Sequence, residues 1–364
     1  MSTNLPVELI EKILRRLPPK SLFRFKSVSK SCRDLIQSPD FVNSHLKRSP
    51  QRILVLNNFD DKKIKKIHFF DRALENFVRY ELGNYSFIHF VGSCNGLVCL
   101  FDVQYNIVIC NVATREHLMI PYPSNLDDRI GYGFGYDTMG YDYKVVLIER
   151  FCDSEIEILM SISMVYSLKQ NKWTRSVHDL YSCVHRQGVF VNGFMHWAIY
   201  SKPKRGIVAF DLQSERFCGQ VPLPDLTRCV MDVGVLRGCL LMTEKKSYAV
   251  CLSDELGVWM MKDYMIKDSW TKLYSVNHVL VPCAMSSDDI PLIPLSSGCL
   301  FWQRYQMEKK GKIQTVGCWV QLADSVVYGE SVIQISAYAG LPGTRGEPTI
   351  EVRGAGSSSN EQSM

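Results

Sequence analysis

Residues 5–46 read LPVELIEKILRRLPPKSLFRFKSVSKSCRDLIQSPDFVNSHL, and this stretch decides the fold of the amino-terminal part of the chain. Its first apolar residues are spaced by three and four positions, which places them along one side of an α-helix: Leu5, Leu9, Ile10, Ile13, Leu14 and Leu17. Asn4 is the expected N-cap of this helix. Pro18 and Pro19 are expected to end it, because a proline ring removes a backbone donor and clashes with the preceding turn.

The same stretch predicts three further short helices, over residues 20–26, 29–38 and 40–47. Four helices of this length make a small core. A domain below roughly 70 to 80 residues rarely gains more than a few kcal/mol from its own core. Part of the apolar surface is therefore expected to face a partner. The alternative is that this surface packs on the rest of the same chain.

The pattern LPxELxxxILxRLPxKSLxRFKxVSKxxxxLIxSPxFxxxHL within this stretch resembles the F-box of plant F-box proteins. The resemblance implies that the segment docks on the Skp adaptor of a Skp, cullin and F-box (SCF) ubiquitin ligase. It places ten residues at the adaptor-binding or core positions of the motif: Leu5, Pro6, Leu9, Ile10, Ile13, Leu14, Leu17, Pro18, Leu22 and Val28. The sequence departs from the motif at Cys32, where plant F-boxes usually have a tryptophan, and the smaller side chain is expected to loosen that core.

The composition indicates an ordinary intracellular protein with one small and one large domain. The chain has 364 residues, of which 46% are hydrophobic and 22% charged, with a net charge of +5. This modest charge gives no indication of a nucleic-acid partner. No apolar run of about 18 residues predicts a membrane span, and the charged amino terminus is not a secretory leader. The 13 cysteines lack paired spacing and are expected to be reduced thiols. The expected location of the protein is the cytoplasm and/or the nucleus.

From residue 51 onward the helical periodicity gives way to short apolar runs separated by turns. Asn95-Gly96 is a strong hairpin signal. A turn glycine followed by an apolar strand recurs at Gly193, Gly238 and Gly298, and Gly193 and Gly238 lie 45 residues apart. This spacing is close to the about 40–50 residues of a propeller blade. The pattern predicts an all-β, propeller-like domain, with a twisted β-sandwich as the alternative.

Several runs in this part resemble the F-box-associated domain, type 1, of plant F-box proteins of an S-locus-like or defence-regulator-like branch. They include residues 96–100 (GLVCL), 111–115 (NVATR), 133–137 (GFGYD), 142–146 (DYKVV) and 231–236 (MDVGVL). The resemblance implies an α+β multidomain chain. The expected parts are an all-α F-box at residues 1–48, a linker at 49–51, a substrate-binding β-domain at 52–338 and a flexible tail at 339–364.

Motifs that would support catalysis or metal binding are weak in this sequence. Residues 92–96 (GSCNG) have the outline of a nucleophile elbow around Cys94, but that elbow needs a following helix, and a strand is expected here. The sequence contains no Cys-x-x-Cys pair. We therefore expect neither a catalytic group, nor a metal, nor another cofactor.

These observations predict the substrate-recognition subunit of an SCF-type ubiquitin ligase, which is not itself an enzyme. Its expected partners are the Skp-type adaptor, through it a cullin, and an unidentified protein substrate marked for ubiquitination and proteasomal degradation. Neither nucleic acid nor membrane is an expected partner. Substrate contacts are expected on loops at one rim of the β-domain, without assignment to residues. The alternative is a stand-alone β-propeller-like scaffold or lectin-like binding protein.

Overall fold

The structure is a computed structural model. It describes residues 6–49, 51–57, 66–70, 77–80, 87–102, 106–120, 122–123, 131–153, 158–178, 183–184, 187–200, 205–225, 229–245, 256–276, 284–285, 291–292, 300–307, 313–320, 322–335 and 350–353. The expected turn glycine Gly298 and most of the expected tail lie outside the described residues.

Four short helices form the amino-terminal part, called the helical domain below: α1 (Val7–Leu14), α2 (Pro19–Phe25), α3 (Lys30–Gln37) and α4 (Pro39–Arg48). The two prolines separate α1 from α2 as predicted. Pro18 is the N-cap of α2 and Pro19 is its first residue, where the missing N–H costs no helical hydrogen bond.

Serine side chains cap the two later helices, whereas α1 has no side-chain cap. Ser29 Oγ accepts a hydrogen bond from Cys32 N at 3.0 Å, and Ser38 Oγ accepts one from Phe41 N at 3.3 Å. The N-cap of α1 is Pro6, which makes no side-chain hydrogen bond. The N-cap position is therefore Pro6 and not the predicted Asn4, because the helix begins at Val7; Asn4 lies outside the described residues.

The β-domain is built from short strands. Their bounds are β1 (Gln51–Asn57), β2 (Lys66–Phe70), β3 (Phe77–Tyr80), β4 (Phe87–Cys94), β5 (Leu97–Asp102), β6 (Ile107–Asn111), β7 (Glu116–Ile120), β8 (Gly131–Asp137), β9 (Asp142–Asp153), β10 (Ile158–Ser167), β11 (Lys172–His178), β12 (Cys183–Val184), β13 (Val189–Val191), β14 (Phe194–Tyr200), β15 (Arg205–Asp211), β16 (Arg216–Gln220), β17 (Cys229–Leu236), β18 (Cys239–Lys245), β19 (Leu256–Met261), β20 (Trp270–Val276), β21 (Ala284–Met285), β22 (Pro291–Leu292), β23 (Leu300–Met307), β24 (Ile313–Val320), β25 (Leu322–Gly329) and β26 (Ile350–Arg353). A 3₁₀ turn, Lys267–Ser269, precedes β20.

These strands form successive antiparallel sheets. Sheet 1 has the order β25-β1-β2-β3, and sheet 2 has the order β4-β5-β6-β7. Sheet 3 contains β8 to β11, with β26 added in parallel to β11. Sheet 4 contains β12 to β16, and sheet 5 contains β17 to β20. The predicted combination of a small helical domain and a large all-β domain is confirmed.

Neighbouring sheets pack face to face through their first strands. Strand β25 contacts β4, β4 contacts β8, β8 contacts β13 and β14, and both of these contact β17. The interfaces are apolar, as shown by Leu97 and Phe134 between sheets 2 and 3, and by Trp197 and Phe210 between sheets 3 and 4. Sheets that follow one another in this way resemble the blades of a β-propeller.

The recurring turn glycines that the sequence singled out close two-residue hairpins. Asn95 and Gly96 have φ values of 49° and 79°, and Arg237 and Gly238 have φ values of 52° and 78°. Two consecutive residues with positive φ form the turn that matches the twist of antiparallel strands. These turns join the first and second strands of sheets 2 and 5, so they lie at corresponding places in the two sheets.

The helical domain is covalently joined to sheet 1 through β1 and contacts the residues that follow β25. Strand β1 begins directly after α4, and its first residue, Gln51, pairs with Gly329 at the end of β25. Residues 330–335, called the strap below, follow β25 and lie between the helical domain and sheet 2. Strand β25 and the strap are therefore adjacent to the beginning of the β-domain.

Candidate functional site

The helical domain has a compact core that contains part of the predicted docking set. Leu14 and Leu22 are buried in a cluster with Ile36, Phe41 and Val332. Ile10 and Leu17 are half-buried and pack against the same cluster. Leu14 and Leu22 are therefore not accessible to a partner in this structure, and they support the helices from inside.

Other members of the predicted set point outward. The exposed fractions are 45% for Leu9, 51% for Ile13 and 69% for Val28. Pro6 and Pro18, at the beginnings of α1 and α2, are also exposed. Leu5 lies outside the described residues. Leu9 and Ile13 are one helical turn apart, so their side chains lie on the same side of α1.

Phe25 is an outward-facing residue that the sequence reasoning missed, with 38% of its surface exposed. Helix α2 ends at Phe25, and Val28 lies in the turn that follows, where its backbone N donates to the carbonyl oxygen of Phe25 at 3.0 Å. Because Val28 lies outside the helix, helical spacing offers no signal that could have identified Phe25. We call Leu9, Ile13, Phe25 and Val28 the apolar face.

Basic residues accompany the apolar face. The exposed basic residues of α1 and α2 and the turn between them are Lys12, Arg16, Lys20 and Arg24, whereas Glu8 is the exposed acidic residue of this segment. The other acidic residue, Glu11, forms an ion pair with Arg15 one turn later. The segment of α1 and α2 therefore has more exposed positive than negative charge, which an acidic surface would complement better than a basic one.

Interactions with α4 hold the end of α1 in place. His45 Nε2 lies 2.8 Å from the carbonyl oxygen of Leu17, and its ring stacks on Phe41 with the ring centroids 6.1 Å apart. The Arg15 guanidinium lies over the same Phe41 ring, 5.5 Å from its centroid. Cys32, the departure from the F-box motif, is half-buried on α3. The part of the apolar face on α1 is thus presented by a helix whose end is held in place by α4.

The places where the sequence suggested chemistry do not form reactive sites. Cys94 ends β4, and the residues after its hairpin form β5 rather than the helix of a nucleophile elbow. Burial raises the pKa of the Cys94 thiol, which disfavours the reactive thiolate. Among the described residues, no group of three or more His, Cys, Asp or Glu side chains could hold a metal ion. In the same part of the chain no helix is long and apolar enough to cross a membrane.

Comparison with known proteins gives two family matches that divide the chain. Residues 2–44 match the F-box domain, and residues 51–317 match the F-box associated beta propeller domain. The chain is 31% identical to the F-box protein CPR1 of Arabidopsis thaliana, covering 86% of this chain and 85% of that protein. It is 32% identical to an F-box/kelch-repeat protein of the same plant, covering 75% of this chain and 79% of that protein.

Proposed function

Because this chain belongs to the family of plant F-box proteins that carry an F-box-associated β-propeller domain, we propose that it is the substrate-recognition subunit of an SCF-type ubiquitin ligase. The helical domain binds a Skp-type adaptor, which connects it to a cullin. The β-domain binds a target protein, which is then ubiquitinated and degraded by the proteasome. The place of action is the cytoplasm, the nucleus or both.

The observation that supports adaptor binding best is the apolar face. Leu9, Ile13, Phe25 and Val28 are exposed although the helical domain has its own core and also packs on the strap. Burying such side chains against a partner gains about 25 cal/mol per Å² of apolar surface. Pro6 and Pro18 extend the proposed docking surface, and Leu5 would join it from the preceding residue. Ile10, Leu14, Leu17 and Leu22 act in the proposal as internal support.

The proposed mechanism needs binding and proximity, and the reacting groups come from other subunits. A substrate held by the β-domain is connected through the helical domain, adaptor and cullin to a ubiquitin-charged conjugating enzyme. This tethering raises the effective concentration of substrate lysines near that enzyme. The four exposed basic residues of α1 and α2 are expected to accelerate association with an acidic adaptor surface and to make it sensitive to salt.

Alanine substitution of the apolar face tests this proposal. The double variant Leu9→Ala with Ile13→Ala removes two exposed side chains from α1 without touching the buried cluster. Losing about 1 kcal/mol of burial for each half-exposed side chain weakens adaptor binding about thirtyfold. The measurement is the dissociation constant of the purified full-length protein for a plant Skp adaptor, from isothermal titration calorimetry.

A matched control is available on the β-domain. Met139 and Tyr141 are 69% and 67% exposed on the turn between β8 and β9, and their alanine double variant is expected to bind the adaptor like the unmodified protein. Unchanged adaptor affinity in the Leu9/Ile13 variant would contradict the assigned face. Absence of adaptor binding by the unmodified protein would contradict the proposed function and favour a stand-alone binding protein or scaffold.

A further inference from the structure

The strap is buried on both sides. The exposed fractions of its residues are 1% for Ser331, 2% for Val332, 5% for Ile333 and 3% for Ile335. In an extended chain, successive side chains point in opposite directions. The contacts of residues 331–335 alternate: Val332 and Gln334 contact the helical domain, whereas Ser331, Ile333 and Ile335 contact the β-domain.

Toward the helical domain, the strap completes the core of the four helices. Val332 is a member of the cluster that contains Leu14, Leu22 and Phe41. The side chain of Gln334 accepts a hydrogen bond from the side chain of Gln37, at the end of α3. The helical domain therefore contains a residue from the far end of the β-domain in its own core.

Toward the β-domain, the strap joins the core between sheets 2 and 3. Ile333 and Ile335 belong to the apolar cluster of these sheets. Asn111 Nδ2 donates to the carbonyl oxygen of Ile333 at 2.8 Å and to that of Ser331 at 3.2 Å. Ile335 N donates to Glu116 Oε2 at 2.8 Å. The backbone of the strap is thus held at both ends by side chains of sheet 2.

Asn111 in sheet 2 and Asp211 in sheet 4 occupy corresponding places, and they differ in the amide nitrogen with which Asn111 reaches the strap. Asn111 ends the third strand of sheet 2, and its Oδ1 accepts from Ala113 N at 2.9 Å. Asp211 ends the third strand of sheet 4, and its Oδ1 accepts from Gln213 N at 3.0 Å. Both side chains cap their turns through an oxygen. The amide nitrogen of Asn111 is the additional donor, and it is directed at the strap.

Gly96 allows the strap to approach the hairpin between β4 and β5. A Cβ atom at Gly96 would lie 2.3 Å from Ser331 Cβ and 2.8 Å from the carbonyl oxygen of Gly329. Gly238 has almost the same φ value, +78° against +79° for Gly96, but a Cβ atom there would meet no atom within 4 Å. The absence of a side chain at Gly96 is therefore required by the strap as well as by the turn.

We propose that the strap fixes the orientation of the helical domain on the β-domain, with Asn111 and Gly96 as positioning residues. The consequence for activity rests on the proposed function: a fixed orientation directs a bound substrate toward the enzyme that the adaptor and cullin bring. The adaptor-binding face and the substrate-binding domain then form one rigid unit instead of two domains on a flexible linker.

The variant Asn111→Asp tests the β-domain end of the strap in the full-length protein. Aspartate keeps the oxygen that caps the turn and replaces the donor with an oxygen that faces two carbonyl groups. We expect amide hydrogen exchange in the strap to become about tenfold faster, which corresponds to about 1.4 kcal/mol. We also expect small-angle X-ray scattering to show a larger maximum dimension. The control Asp211→Asn makes the reverse exchange on sheet 4 and should change neither measurement.

A second pair of variants covers the case in which Asn111→Asp does not fold. Gly96→Ala and Gly238→Ala introduce the same backbone strain at positive φ, but only the first also collides with the strap. We expect faster exchange in the strap and larger dimensions for Gly96→Ala alone. Wild-type exchange and scattering in the folded Asn111→Asp or Gly96→Ala protein would overturn the inference.

Adaptor affinity separates this inference from the proposed function. The residues of the apolar face are distant in sequence from Asn111 and from the strap, and they belong to other structural elements. The Asn111→Asp protein should therefore bind the adaptor within about threefold of the unmodified protein, while its scattering changes. A purely structural role would instead lower adaptor binding together with the fraction of folded protein. If the unmodified protein does not bind the adaptor, exchange and scattering of the free chain still decide the role of the strap.

Discussion

His196 is a buried side chain whose protonation opposes folding. It lies on β14 with no exposed surface, and its Nε2 is 2.8 Å from the hydroxyl oxygen of Tyr264. Burial lowers the pKa of His196 from 6.5 to about 4. The unfolded chain therefore binds a proton at this residue more readily than the folded protein does.

The expected result is a loss of stability in mild acid. The contribution of His196 to the free energy of unfolding is complete above pH 6.5 and declines as the pH falls toward 4. The total change is about 3 kcal/mol. Urea unfolding at pH 7.5 and pH 5 would measure about 2 kcal/mol of it, because pH 5 is still above the folded pKa, with His196→Gln as the comparison. The prediction fails if the variant loses as much stability between these two pH values as the unmodified protein.

At the level of single residues, the sequence predicted which positions are apolar and helical, but not which of them are buried in the core and which are exposed. Leu9 and Leu14 both belong to the apolar row of α1, yet Leu9 is 45% exposed and Leu14 is 1% exposed. Helical spacing cannot separate an internal row from a docking row when both are apolar. The position of Val332, which covers the inner row, was needed for that distinction.

Lys144 connects two elements that are distant in sequence. It lies on β9, and its Nζ is 3.2 Å from Asp137 Oδ2 and 3.1 Å from Glu215 Oε1. The same nitrogen donates to the carbonyl oxygen of Leu212 at 2.5 Å. All three charged side chains are buried. This cluster ties the first hairpin of sheet 3 to the turn between β15 and β16 in sheet 4.

Removing the cation is expected to be costly because two carboxylates stay buried without it. We expect Lys144→Met to lower the free energy of unfolding by about 3–5 kcal/mol. The control is Lys267→Met, because Lys267 forms an exposed ion pair with Asp225 at 2.6 Å and should change stability little. Chemical denaturation of both variants compares them. Equal, small effects would show that the buried cluster does not stabilise the contact between the sheets.

At the level of elements, strands and hairpins follow from local sequence, whereas the strap does not. The pair Asn95-Gly96 identifies its hairpin because a local rule connects residue type and positive φ. Residues 331–335 have no such local signature. Their partners Asn111 and Gln37 are 220 to 297 positions away in the chain. A short extended segment acquires its role only from such distant contacts.

For the whole molecule, sheet 1 joins the first strand of the β-domain to β25, which lies far along the chain. Strand β1 pairs with β2 on one side and with β25 on the other. We expect deletion of residues 1–49 to leave a β-domain that unfolds cooperatively, because β1 is kept. Deletion of residues 1–57 removes the central pairing strand and should lower the unfolding midpoint by a further 5 °C or so, about 3 kcal/mol.

Thermal unfolding followed by circular dichroism measures both deletions. The shorter deletion also removes the helical partners of Val332, so part of its effect comes from the strap. The difference between the two proteins isolates β1. Identical midpoints would mean that the pairing of β1 with β25 contributes nothing to the stability of the β-domain.

The contact between Gln37 and Gln334 has a consequence for biosynthesis. These residues are 297 positions apart, and a ribosome that adds about 5–20 residues per second needs roughly 15–60 s to span that interval. During this time the nascent helices emerge without Val332 to cover their core, and β1 emerges without β25. A translation product interrupted before residue 322 would lack both closing elements. Such a product would expose apolar surface to chaperones and proteases.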